Sequence, residues 1–83
     1  MGNREDIKKT IREIVSRVLD IPEEQITDDL ELDTDLHIDS LALYEIVVDI
    51  EDKYSIRISN DEADDLRTVG EAVTFIEERI KKT

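Results

Sequence analysis

Residues 35–54 have the sequence DLHIDSLALYEIVVDIEDKY, which places a serine, Ser40, at the start of a segment rich in apolar residues. At about 100° per residue, the turn of an α-helix, the apolar residues of this segment divide into two groups. One group forms a continuous arc: Leu43, Ile46, Val47, Ile50 and Tyr54. The segment therefore predicts a helix that begins near Ser40 and turns this arc toward a core.

The opposite side of the same helix is apolar and acidic. Leu41, Tyr44 and Val48 fall there, next to the acidic residues Glu45, Asp49 and Asp52. Exposed apolar groups rimmed by charge are typical of a protein contact surface. The alternative is that Tyr44 and Val48 are covered by the preceding loop, since single apolar residues near a surface often have no role.

Apolar residues at helical spacing predict two further long helices, over residues 4–19 and 69–82. Asn3 and the pair Thr68 and Glu71 are the expected start signals. Residues 60–66 allow only a short helix, and residues 54–58 alternate like a strand that has no partner, which favours an extended connection. The prediction is an all-α fold, a small four-helix bundle in one domain over residues 1–83. The expected core is Ile7, Ile11, Ile14, Val18, Ile46, Val47, Ile50, Tyr54, Ile58, Leu66, Val69, Val73 and Ile76.

The charge of −12 lies in the middle of the chain. Residues 28–65 hold 14 acidic residues against Lys53 and Arg57. This balance argues against nucleic acid and favours a basic protein partner, although acidity can also serve solubility alone. The chain has no cysteine, so we expect no thiol site. It also has no long apolar run, so we expect no membrane insertion and a cytoplasmic protein.

The segment over residues 21–38 is a long acidic connection, which the scattered residues Ile26, Leu30, Leu32 and Leu36 could pin to the core. Its alternating acids are somewhat similar to a calcium loop, but Thr34 and Ser40 occupy the positions that need glycine and glutamate. We therefore expect no dedicated metal site and at most weak binding of divalent cations.

Ser40 has three interpretations. His37, Asp39 and Ser40 are the residue types of a hydrolase triad, but side chains this close at a helix start cannot converge. Asp39 or Ser40 could simply cap the helix. Alternatively, Ser40 could carry a phosphate ester, which the amides and the positive end of a helix would favour.

The motif Asp39-Ser40-Leu41 and its surroundings resemble the phosphopantetheine attachment region of bacterial acyl carrier proteins. The resemblance extends through residues 51–54, 61–63 and 66–69 and covers nearly the whole chain. Within that family, the sequence is most similar to the type II fatty acid carriers of actinobacteria. The resemblance implies a non-catalytic monomer on which a magnesium-dependent phosphopantetheinyl transferase moves 4′-phosphopantetheine from coenzyme A to Ser40. Asp39 and Leu41 complete the attachment motif.

The resemblance also implies two surfaces. Basic patches of acyltransferase, ketosynthase and reductase-type enzymes would contact Asp35, Asp39, Glu45, Asp49, Glu51, Asp52, Tyr44 and Val48. An acyl chain would be sheltered by Leu43, Ile46, Val47, Ile50, Tyr54, Ile58, Leu66 and Val73.

Two positions differ from many members of that family. His37 replaces a glycine, and Ser59 replaces a proline, which is expected to loosen the turn into the short helix. The resemblance implies a carrier in fatty acid or polyketide-type synthesis. The competing functions are a carrier of aminoacyl or peptidyl groups and an acidic adaptor without an arm. The start at Met1 and the close at Lys82-Thr83 suit a free-standing protein, although a piece cut from a larger synthase could have the same ends.

Overall fold

The computed structural model describes residues 3–32, 34–35 and 38–82, and these form a helical bundle. Its helices are α1 (Arg4–Leu19), α2 (Ser40–Tyr54), α3 (Asn60–Asp64) and α4 (Val69–Lys82), with a 3₁₀ turn at Glu23–Gln25 between α1 and α2. The prediction of an all-α, four-helix fold is confirmed. His37, whose substitution for glycine was noted in the sequence, lies outside the described residues, as does Leu36.

Helix α1 has the predicted bounds, and side-chain and backbone signals define both of its ends. The Asn3 side chain accepts a hydrogen bond from the Asp6 N–H, 2.9 Å away, so Asn3 is the N-cap. At the other end Asp20 adopts a left-handed conformation, with φ of 58°, and donates its N–H to the Ser16 carbonyl. The helix thus ends at Leu19, three residues before Pro22, through a local turn of the backbone.

Helix α1 packs against both α2 and α4, and the core lies between them. The predicted core residues are buried, except that Val18, Tyr54 and Leu66 are only partly covered at its edge. The core also contains residues that the prediction omitted: Val15, Ile26, Leu32, Ile56, Ala63 and Ala72. Ile56 and Ile58 are both buried, although residues 56–59 form neither a helix nor a strand.

The long connection before α2 is fixed to the start of α4 by backbone hydrogen bonds. Leu32 N–H donates to the Arg67 carbonyl, and Val69 N–H donates to the Leu30 carbonyl. These bonds form an isolated antiparallel bridge, and Ile26 and Leu32 are buried beneath it. The sequence predicted that apolar residues could pin this segment to the core, but not this bridge, which joins residues 37 positions apart along the chain.

The turn into α3 is held by side-chain hydrogen bonds at Ser59, and the expected loosening relative to proline stays a prediction. The Ser59 hydroxyl accepts from the Glu62 N–H at 3.2 Å, and the Glu62 carboxylate accepts from the Ser59 N–H at 3.0 Å. This is a complete capping box. The Ser59 N–H bond, with help from the Arg79 guanidinium, holds the pKa of Glu62 below its ordinary value.

The predicted capping box at α4 has a different form. The Thr68 hydroxyl accepts from the Glu71 N–H as expected, at 3.1 Å. The Glu71 carboxylate, however, accepts from the Arg67 N–H rather than from that of Thr68. Thr68 is also the residue that the bridge pairs with Glu31.

Candidate functional site

Ser40 is the first residue of α2, and its side chain is exposed. The residue before it, Asp39, is the N-cap, because its carboxylate accepts from the Ala42 N–H at 2.8 Å. The capping role therefore belongs to Asp39, and the Ser40 hydroxyl has no hydrogen-bond partner among the described residues. A serine in this position is free to be modified without loss of the helix cap.

Two cavities meet at the start of α2. The larger, about 510 Å³, lies between the long connection, α2 and the chain that follows α3. The smaller, about 320 Å³, lies between α2 and α3. Both are lined by Ser40, Leu43, Ala63 and Asp64. The serine hydroxyl thus stands at the rim of spaces that extend toward the apolar core.

Only some of the residues predicted to shelter an acyl chain line these cavities. Leu43 and Leu66 line the larger cavity, and Leu43 and Val47 line the smaller one. The others belong to the core or its edge and do not line either space: Ile46, Ile50, Tyr54, Ile58 and Val73. Sequence reasoning did not include Leu32, Ile38 and Ala63, which also line the larger cavity.

The outer side of α2 has the predicted apolar and acidic composition. Leu41 and Tyr44 are 71% and 61% exposed, so the loop does not cover Tyr44. Tyr44, Glu45, Val48 and Asp49 together surround a shallow depression of about 190 Å³. The helical spacing of the sequence predicted one shared surface for these four side chains, and the structure confirms it.

The acidic residues predicted to meet partners differ in their surroundings. Glu45 and Asp52 are exposed. The Glu51 carboxylate accepts from the Ile58 N–H at 2.7 Å and thereby anchors the chain after α2. The Asp35 carboxylate accepts from the Glu31 N–H at 2.9 Å. Asp49 pairs with Arg17 of α1, with 2.6 Å between Oδ2 and Nη2.

No cluster of three metal-ligating side chains occurs within the part of the chain that the structure describes. Over the same residues, no helix combines the length and the apolar character that a membrane span needs. The exposed serine, the cavities beside it and the outer side of α2 are open to contact with other molecules.

These features define a class of small helical domain that offers a surface hydroxyl for a prosthetic group. The residues present fit 4′-phosphopantetheine. The Ser40 hydroxyl is open to solvent, the amides of a helix start lie beside it, and the two cavities offer apolar space.

Comparison with known proteins gives the family. Residues 9–76 match the family described as "Phosphopantetheine attachment site". An acyl carrier protein from Thermotoga maritima is 32% identical over 96% of this chain and 99% of its own length. One from Kineococcus radiotolerans is 38% identical over 92% and 94%. A solved acyl carrier protein structure from Enterococcus faecalis superimposes with a TM-score of 0.79 at 35% identity, covering 93% of this chain and 98% of that one.

The chain belongs to the acyl carrier protein family, whose members are carriers, and its prosthetic group is 4′-phosphopantetheine. The resemblance inferred from the residues around Ser40 is therefore confirmed. The placement within the actinobacterial subgroup stays a prediction, since relatives from different bacteria match at similar identity.

Proposed function

We propose that Ser40 is the attachment residue and that the protein is a non-catalytic carrier of acyl groups. The observation that carries this proposal is the exposed Ser40 hydroxyl, which Asp39 leaves free by capping α2 itself. When bound, the arm supplies a terminal thiol that holds an acyl group as a thioester. The chain has no cysteine of its own, so this chemistry must come from the prosthetic group.

The residues of the chain position the attachment oxygen. A phosphopantetheinyl transferase, with magnesium, would join the Ser40 oxygen to the phosphopantetheine phosphorus of coenzyme A. The pyrophosphate bond of coenzyme A breaks, adenosine 3′,5′-bisphosphate leaves, and the hydroxyl proton passes to a base of the transferase or to water. The helix start favours a negatively charged phosphate through its unpaired amides and the positive end of the helix dipole. Asp39 keeps that helix start in place.

The two cavities beside Ser40 are the proposed shelter for the cargo. Leu43, Val47 and Leu66 would contact an acyl chain first. Ile46, Ile50, Tyr54, Ile58 and Val73 belong to the core or its edge and line neither cavity, so a long chain would reach them only if the packing opened. Burial of the methylene groups of an acyl chain would favour its binding in this space.

The outer side of α2 is the proposed docking surface for acyltransferase, ketosynthase and reductase-type enzymes. Tyr44 and Leu41 offer exposed apolar area, and Glu45 and Asp52 offer exposed charge. Fatty acid synthesis is the proposed pathway, on the basis of the motif at residues 38–41 and 51–54. A monomer in the cytoplasm stays the prediction for the state and location of the protein.

The test of the attachment residue is intact mass spectrometry after incubation with coenzyme A, magnesium and a promiscuous phosphopantetheinyl transferase. The wild-type protein should gain one phosphopantetheine, and Ser40→Ala should gain none while it stays folded. Ser59→Ala is a matched control, because Ser59 is also an exposed serine at a helix start. Loading of Ser40→Ala would contradict the assignment, and no loading of the folded wild type would favour the acidic adaptor.

The docking surface is tested by Glu45→Lys. This change should slow loading by the transferase and weaken the dependence of the rate on ionic strength, because charge attraction speeds association at low salt. Glu78→Lys makes the same charge change on the exposed part of α4 and should have a smaller effect. Equal effects of the two variants would contradict a specific role for α2.

A further inference from the structure

Asp49 lies between two surfaces of the molecule. On one side it lines the depression with Tyr44, Glu45 and Val48 on the outer side of α2. On the other side it lines a groove of about 310 Å³ between α1 and α2, where Arg17 and Lys53 are the cationic side chains among the described residues. The Asp49 carboxylate is bound from this second side, by the Arg17 guanidinium.

The Arg17–Asp49 pair is open to exchange. The two side chains are 69% and 36% exposed, so solvent and any approaching protein can reach the pair. Ion pairs between exposed side chains contribute little net stability, because water and salt compete with them. The pair also offsets repulsion between Asp49 and Glu45, which are four residues apart on one helix and both acidic.

We propose that Arg17 competes with the cationic side chains of partner enzymes for Asp49. A basic partner that docks on α2 then replaces an ion pair within this chain by one between the two proteins. The docking surface accordingly extends past Tyr44, Glu45 and Val48 on the outer side of α2 to the edge of the α1–α2 groove, and Arg17 weakens partner binding at that edge. This inference rests on the proposed function only in taking a basic carrier-processing enzyme as the partner.

The acids of α2 therefore contribute to docking in different ways. Glu45 is exposed and meets a partner without losing a bond to a described residue. Asp49 must first release Arg17, and Glu51 already binds the Ile58 N–H. A basic partner should consequently load this protein with a lower kcat/KM than it would if every acidic residue on α2 were free to bind it. The value of kcat/KM should rise when Arg17 is removed.

The test compares Arg17→Gln with Arg4→Gln in loading by the transferase with coenzyme A and magnesium. Both variants remove one positive charge from α1, but Arg4 pairs with Glu77 of α4, away from the groove. At low ionic strength we expect kcat/KM for Arg17→Gln to exceed that for Arg4→Gln by about two- to fivefold, the range of an exposed ion pair. The advantage should disappear at high salt.

A double-mutant cycle with Asp49→Asn isolates the pair. In that background Arg17→Gln should give no advantage over Arg4→Gln, because there is no carboxylate left to release.

Equal rates for the two arginine variants, or an advantage that persists without Asp49, would overturn the inference while leaving Ser40 as the attachment residue. Failure of every variant, including the wild type, to be loaded would instead contradict the proposed function and this inference together. Thermal unfolding midpoints confirm that the compared variants are folded.

Discussion

The α1–α4 interface and the region around Ser40 are packed to different degrees. At the interface Ile7, Ile11, Val73 and Ile76 are between 0% and 2% exposed. Around Ser40, cavities of about 510 and 320 Å³ separate α2 from its neighbours, and Leu43 is only partly buried. Close packing makes a core rigid and costly to change, whereas a loosely packed region can open at low cost. The domain thus separates the residues that stabilise it from those proposed to carry a cargo.

The largest effect on stability is expected from a cavity at the α1–α4 interface. Ile76→Ala should lower the free energy of unfolding by about 2–5 kcal/mol, because the surrounding helices cannot fully close the space. Leu43→Ala, at the Ser40 region, should lower it by less than half as much, since Leu43 already lines open space. Urea unfolding of both variants measures the difference. Equal losses would show that the two regions do not differ in packing as described.

A smaller effect is expected where the long connection meets α4. The Gly70 N–H donates to the Asp28 carbonyl at 2.8 Å, and a Cβ at residue 70 would lie 3.0 Å from the same oxygen. Gly70→Ala gains helix propensity but forces two backbone segments apart, so we expect a net loss of about 1 kcal/mol. Thermal unfolding measures the change. A stabilised variant would mean that the connection yields to the added methyl group.

The smallest effect is the pH dependence from the capping box of α3. Because the pKa of Glu62 is lowered in the folded protein, its carboxylate stabilises the fold above the ordinary pKa of glutamate. This contribution is lost as the pH falls through the lowered pKa. Glu62→Gln should therefore melt below the wild type at neutral pH and approach it in acid. Glu78→Gln, on the exposed part of α4, serves as the control, and a wild-type advantage that persisted in acid would refute the mechanism.

Local patterns in the sequence predicted the parts of the fold that depend on neighbours along the chain. The bounds of α1 and α4, the Asn3 cap and the two sides of α2 follow from helical spacing and capping chemistry. The family resemblance came from the residues around Ser40.

Features that depend on distant partners were not predictable in this way. The scattered apolar residues of the connection predicted that it could be pinned to the core, and Ile26 and Leu32 are buried, but the backbone bridge to residues near Thr68 was not predicted. The bond from the Ile58 N–H to Glu51 and the pairing of Asp49 with Arg17 also join separate elements. Helical angles show which side of α2 a residue occupies. The packing of α1 against that helix decides which of its acidic residues form an ion pair within the chain.

The most direct test of the account is the location of the arm in the chain. Trypsin cleavage after Lys and Arg places Ser40 in the fragment 18–53, where it is the only serine, while Ser16, Ser55 and Ser59 fall in other fragments. After loading of the folded protein, fragment mass spectrometry should find phosphopantetheine on fragment 18–53, with fragmentation placing it on residue 40. An arm on any other fragment, or none on folded protein, would contradict the claim that this region of the bundle is built to carry the prosthetic group.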